Sequence, residues 1–118
     1  MAKIKLKSTI ISNNDKNTIE TLGIKSKNKI TYKENNIFVT ILIYNNKIKM
    51  KRYCDEYKIE FLFELNKKTK SLYTLNSILK TFNLNTYTKK IDINNNLIKI
   101  DYLIEDDEFS YVLEMEDL

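Results

Sequence analysis

The chain has 118 residues, one cysteine (Cys54), no histidine, no proline and one glycine (Gly23), with 20 basic and 16 acidic side chains for a net charge of +4. Such a length suits one domain spanning residues 1–118. A lone cysteine excludes an internal disulfide, and the lack of histidine removes both the usual zinc ligands and the usual acid–base catalyst at neutral pH. No run nears the roughly 20 apolar residues that a membrane-spanning helix needs, and the first residues alternate lysine with apolar side chains instead of forming a signal-peptide core. A soluble, cytoplasmic protein with no membrane contact, metal or cofactor is expected.

In chain order, residues 3 to 10 set Ile4, Leu6 and Ile10 against three lysines, the period-two pattern of a strand with one wet face. Further strands are predicted near 17 to 26, 28 to 34, 37 to 44 and 47 to 54. Residues 57 to 65 put Tyr57, Ile59, Phe61, Phe63 and Leu65 on one face and Lys58, Glu60 and Glu64 on the other. Strands follow near 69 to 75, 79 to 88 and 89 to 93. Residues 97 to 104 oppose Ile98, Ile100, Tyr102 and Ile104 to Lys99 and Asp101; residues 108 to 116 oppose Phe109, Tyr111, Leu113 and Met115 to three glutamates. Leu72, Leu75, Leu79 and Phe82 are also spaced as on an amphipathic helix, and two strands about an Asn76-Ser77 turn are preferred there.

Asparagine supplies the punctuation, at Asn13-Asn14, Asn35-Asn36, Asn45-Asn46 and Asn94-Asn95-Asn96. It tolerates the left-handed backbone that tight hairpins demand. Many hairpin-linked strands in a short chain read as a meander, and closing the sheet removes the edges that aggregate. The fold class is therefore all-β, a closed antiparallel meander barrel of about 8 to 10 strands.

The lone Gly23, Tyr32-Lys33-Glu34, Lys51-Arg52 ahead of Phe61-Leu62-Phe63, Thr69 with Tyr73, Thr88-Lys89-Lys90 and a closing Ile100-Asp101-Tyr102 occur in an order that resembles the YwiB-like family of small bacterial proteins of unknown function. The resemblance runs from about Ile4 to Glu116. It implies a calycin, or lipocalin-like, barrel and brings no established activity, so no catalytic residue is assigned.

Charge is unevenly placed. Residues 1 to 100 carry 20 basic and 8 acidic side chains, whereas residues 101 to 118 carry 8 acidic and none basic. A last strand paired with the first sets acidic residues beside Lys3, Lys5 and Lys7, which neutralises the field. The chain also lacks the clustered aromatic and basic residues of a stacking platform, so nucleic acid is disfavoured as a partner.

Arg52, the only arginine, falls on the strand face of Ile48, Met50 and Cys54, opposite three lysines, and is expected to point inward. Its planar fork suits two-pronged binding of a carboxylate, and a buried cation needs a partner. Two are available: Glu34, on the face of Ile30 and Tyr32, or the carboxylate or phosphate of a ligand inside the barrel, as in fatty-acid-binding relatives of the implied fold. Arg52, Glu34, Tyr32 and Tyr73 form the candidate ligand-binding set. Phe61, Phe63, Ile41, Ile43 and Tyr73 are large enough to fill much of the interior. Residues 37 to 44 break the alternation, because Phe38, Leu42 and Tyr44 would face outward; such a patch normally meets another surface, and a homodimer interface is expected there. The leading reading is a binding module for a small amphipathic or anionic ligand. The alternatives are an interaction or structural protein acting through that interface and, more remotely, an enzyme using tyrosine, arginine and glutamate.

Overall fold

The alternation read along the chain becomes strand pairing throughout the computed structural model, which describes residues 2–118. Ten strands follow one another: β1 (Ala2–Ser12), β2 (Asp15–Ser26), β3 (Lys29–Glu34), β4 (Ile37–Ile43), β5 (Lys47–Tyr53), β6 (Tyr57–Glu64), β7 (Lys68–Leu75), β8 (Lys80–Asn94), β9 (Leu97–Ile104) and β10 (Asp107–Asp117). Each pairs antiparallel with its neighbour in sequence, and β1 also pairs with β10, so the sheet closes into a barrel with no free edge. Closure sets Lys5 opposite Glu116 and Lys7 opposite Glu114, bringing the acidic last strand against the basic first one.

Period two then sorts the side chains. Ile4, Leu6, Ile30, Val39, Ile41, Ile48, Met50, Phe61, Phe63, Ile98, Ile100 and Leu113 are all buried and make one core, while the lysines between them face water. Gly23 lies where strands crowd: a Cβ there would sit 2.5 Å from Leu6 Cδ1 and 2.7 Å from the Thr31 carbonyl oxygen. Only glycine lets β2 pass Leu6 and Tyr32 this closely.

Several expectations are corrected. The segments 79 to 88 and 89 to 93 are one strand, β8, which pairs with β7 through Tyr87 and with β9 from Thr86 onward, with a bulge between Thr88 and Lys90 in the latter ladder. Leu65 leaves the inward row and is exposed, because β6 ends at Glu64. Ile43 and Tyr73 are only half-buried, so the interior is filled by Phe61, Phe63 and Ile41 with the aliphatic residues above. Residues 71 to 82 form the hairpin preferred from the sequence and not the amphipathic helix, with its turn at 76–79. Asn76 donates from Nδ2 to the Cys54 and Asp55 carbonyls at 3.2 and 3.0 Å, pinning that turn to the β5–β6 turn. Asn13 and Asn35 adopt positive φ as their turns require, but so do Asn66, Leu79 and Glu105.

Candidate functional site

In an up-and-down barrel the turns after β1, β3, β5, β7 and β9 gather at one end. Near that end the register carries an inward row across the sheet, with Gly23 opposite Tyr32, Tyr32 opposite Val39, Val39 opposite Arg52, Arg52 opposite Ile59, Ile59 opposite Tyr73 and Tyr73 opposite Phe82. Glu34 follows Tyr32 on the same face of β3, so Arg52 and Glu34 meet across the intervening strand β4. Arg52 Nη2 donates to Glu34 Oε2 at 2.5 Å, and both side chains are about nine-tenths buried, at 10% and 8% exposure.

The rest of Glu34 is satisfied by a chain of hydroxyls. Ser8 Oγ donates to Glu34 Oε1 at 3.4 Å, Tyr32 Oη donates to Ser8 Oγ at 3.2 Å, and the Tyr32 and Tyr111 hydroxyls lie 2.6 Å apart. Since Tyr32 has one proton and gives it to Ser8, Tyr111 is the donor in the last bond. The proton order therefore runs from Tyr111 through Tyr32 and Ser8 to Glu34, whose other oxygen takes Arg52.

Electrostatics fix the protonation states. Burial by itself would lower the Arg52 pKa, but the Glu34 carboxylate, with Tyr32 and Tyr111, raises it above its ordinary value, so the guanidinium stays charged. Burial raises Tyr111 well above the usual phenol range. It also raises Tyr32, against the opposing hydrogen bonds to Ser8 and Tyr111. Tyr102 is pushed up to about 12 by burial, opposed by the charge of Arg52. All three phenols are neutral at physiological pH.

Arg52 Nη1 is buried and has no hydrogen-bond partner among the described residues; Thr88 Oγ1 is the other such atom. A buried guanidinium with an idle donor is the feature here that invites a ligand.

Of the residues expected in the site, Arg52, Glu34 and Tyr32 come together. Tyr73 stands two strands from Arg52 in the same inward row, stacked on Tyr57 with ring centroids 5.9 Å apart. Ser8 and Tyr111 complete the network and were not among the candidates. Both lie on the inward faces that alternation defines, and a serine between Leu6 and Ile10 is the kind of polar interruption that marks such a position. Cys54 has a free, half-buried thiol just beyond β5. Phe38 and Tyr44 lie on the outer surface at 44% and 45% exposure, and Leu42 is half-buried. Phe38 stacks on Tyr53 at 5.3 Å, and Lys33 and Lys51 lie over the two rings.

These features define a closed ten-stranded antiparallel barrel with an ion pair buried toward one end. The structure is similar to the crystal structure of the ywiB protein from Bacillus subtilis, with a TM-score of 0.69 over 98% of this chain and 90% of that one, at 18% sequence identity. That likeness shows a barrel of the same fold as ywiB, in line with the closed antiparallel barrel read from the sequence. No family model and no curated protein matches the chain.

Proposed function

We propose that the protein is a cytoplasmic, calycin-like binding module for a small anionic and amphipathic ligand, held at the turn end of the barrel by Arg52. The observation that carries this reading is Arg52 Nη1, buried without a partner beside a Glu34 that occupies only Nη2. An acceptor from a ligand would satisfy that donor, and an anion suits it best because charge-assisted hydrogen bonds are the strong ones. Phe61, Phe63 and Tyr102 fill the barrel middle, their rings 4.8 to 6.0 Å apart, so the ligand is small. Native mass spectrometry of protein purified from its own host tests the reading. A bound small anion is expected in the wild type and absent from the Arg52→Met/Glu34→Gln variant, which removes the charge pair together. A wild type without adduct, or an adduct retained by the variant, overturns it.

A second reading is self-association through the outer face of β4, supported by the exposure of Phe38 and Tyr44 and the stacking of Phe38 on Tyr53. The two readings use opposite faces of the sheet and are compatible.

A further inference from the structure

Resting on the reading of Arg52 as the anion anchor, we infer that the ligand is an aromatic carboxylate whose ring lies against an arc of aromatic side chains on β6 to β10. The lining of the turn end is divided. From β10 through β1 to β3 and β5 it carries the polar network of Tyr111, Ser8, Tyr32, Glu34 and Arg52. From β6 to β10 the inward positions toward this end carry Tyr57, Tyr73, Phe82 and Phe109 among Ile59 and Leu75, with Tyr102 buried behind them against Phe61 and Phe63.

These five rings are organised. Tyr57 and Tyr73 stack at 5.9 Å with planes 11° apart, Phe82 tilts onto Tyr73 at 6.5 Å, and Tyr102 and Phe109 stack at 5.5 Å and 12°. Tyr73 and Phe82 belong to the same register row as Arg52. Yet the arc is incompletely covered: Phe82 faces inward and keeps 39% exposure, and Tyr57, Tyr73 and Phe109 are half-buried. Deeper in the barrel the interior is closed, with Ile30, Ile41, Ile48, Phe63, Ile98, Ile100 and Leu113 at 0 to 1% exposure. Four rings, Tyr57, Tyr73, Phe82 and Phe109, are thus left partly open toward this end, and two of them share the register row of Arg52, whose buried Nη1 has no partner. Aromatic faces favour a flat π-system over an aliphatic body of equal size. A carboxylate on Arg52 Nη1 and a ring in the arc use both halves of the lining.

Three probes of similar size separate the components by fluorine NMR titration: 4-fluorobenzoate, its saturated counterpart trans-4-fluorocyclohexanecarboxylate, and the uncharged 4-fluorobenzamide. Wild-type protein is expected to bind 4-fluorobenzoate about fivefold or more tighter than the saturated acid, and about tenfold or more tighter than the amide. Tyr57→Leu/Tyr73→Leu should erase the preference between the two acids while both still bind. If the two acids bind wild type equally, or the tyrosine variant keeps the preference, the aromatic assignment falls and the anion reading stands. If neither acid binds, the amide matches the acid, or Arg52→Met/Glu34→Gln binds as wild type does, both fall.

Discussion

Arg52 and Glu34 belong to strands β5 and β3, are separated by β4, and nevertheless meet at 2.5 Å because both occupy inward positions of the closed sheet. Each is the other's charge partner, and removing one strands the other in a poorly hydrated interior. Arg52→Ala is expected to destabilise the fold by about 3–5 kcal/mol. Arg52→Met/Glu34→Gln should recover most of that loss, since no uncompensated charge remains and the glutamine oxygen still accepts from Ser8. Urea unfolding of the three proteins is the measurement; a loss below about 1 kcal/mol in the single variant would mean that the pair is solvated.

The direction of the hydroxyl chain makes its members unequal. Tyr111→Phe removes the terminal donor and leaves Tyr32, Ser8 and Glu34 connected, at a cost of about 0.5–1.5 kcal/mol. Ser8→Ala breaks the middle, leaving Glu34 Oε1 without its donor and the Tyr32 hydroxyl without its acceptor, at about 1–3 kcal/mol. Chemical denaturation giving the reverse order would contradict the proton arrangement.

Stability should fall in alkali. Tyr102 titrates near 12 in the folded protein and near 10 when unfolded. Between those values the unfolded chain has lost its proton and the native one retains it, so the slope of stability with pH is negative. The contribution is complete below about pH 10 and lost as pH rises to about 12, about 2–3 kcal/mol for this residue. Tyr111 and Tyr32, also raised by burial, add in the same direction. Unfolding free energies from pH 8 upward should bend down near pH 10, and less steeply in Tyr102→Phe.

Gly23→Ala is expected to cost about 1–3 kcal/mol by overpacking. Adding Leu6→Ala should not restore stability, because the Thr31 carbonyl, 2.7 Å from the new methyl, belongs to the β3 backbone. Thermal melts of the single and double variants decide this, and a double variant as stable as Leu6→Ala alone would show that β3 yields.

Light scattering at micromolar concentration should find a dimer for the wild type. Phe38→Glu/Leu42→Lys should convert it to a monomer without loss of the β circular dichroism spectrum, since both side chains lie on the outer face. A monomeric wild type returns Phe38 to its intramolecular stack on Tyr53.

By itself the sequence determined which residues face inward, because a strand repeats every two residues and burial selects one parity. Ile4 and Leu6, Ile30 and Tyr32, Met50 and Arg52, Phe61 and Phe63 could be read off that parity, as could the turns at Asn13 and Asn35, where asparagine accepts positive φ. Parity also put Arg52 and Glu34 on the interior, and the scarcity of arginine drew attention to the pair. Distances along the barrel axis were not legible, since period two says which side of the sheet a residue is on and nothing of which residues stand level. Only the closed register brought Ser8 and Tyr111 from the chain's two ends to Tyr32, and set Tyr73 and Phe82 in the row of Arg52. The bulge in β8 was equally hidden: an unpaired residue in one strand is defined by the partners on both sides, and Thr88-Lys89-Lys90 carries no glycine or proline to announce it.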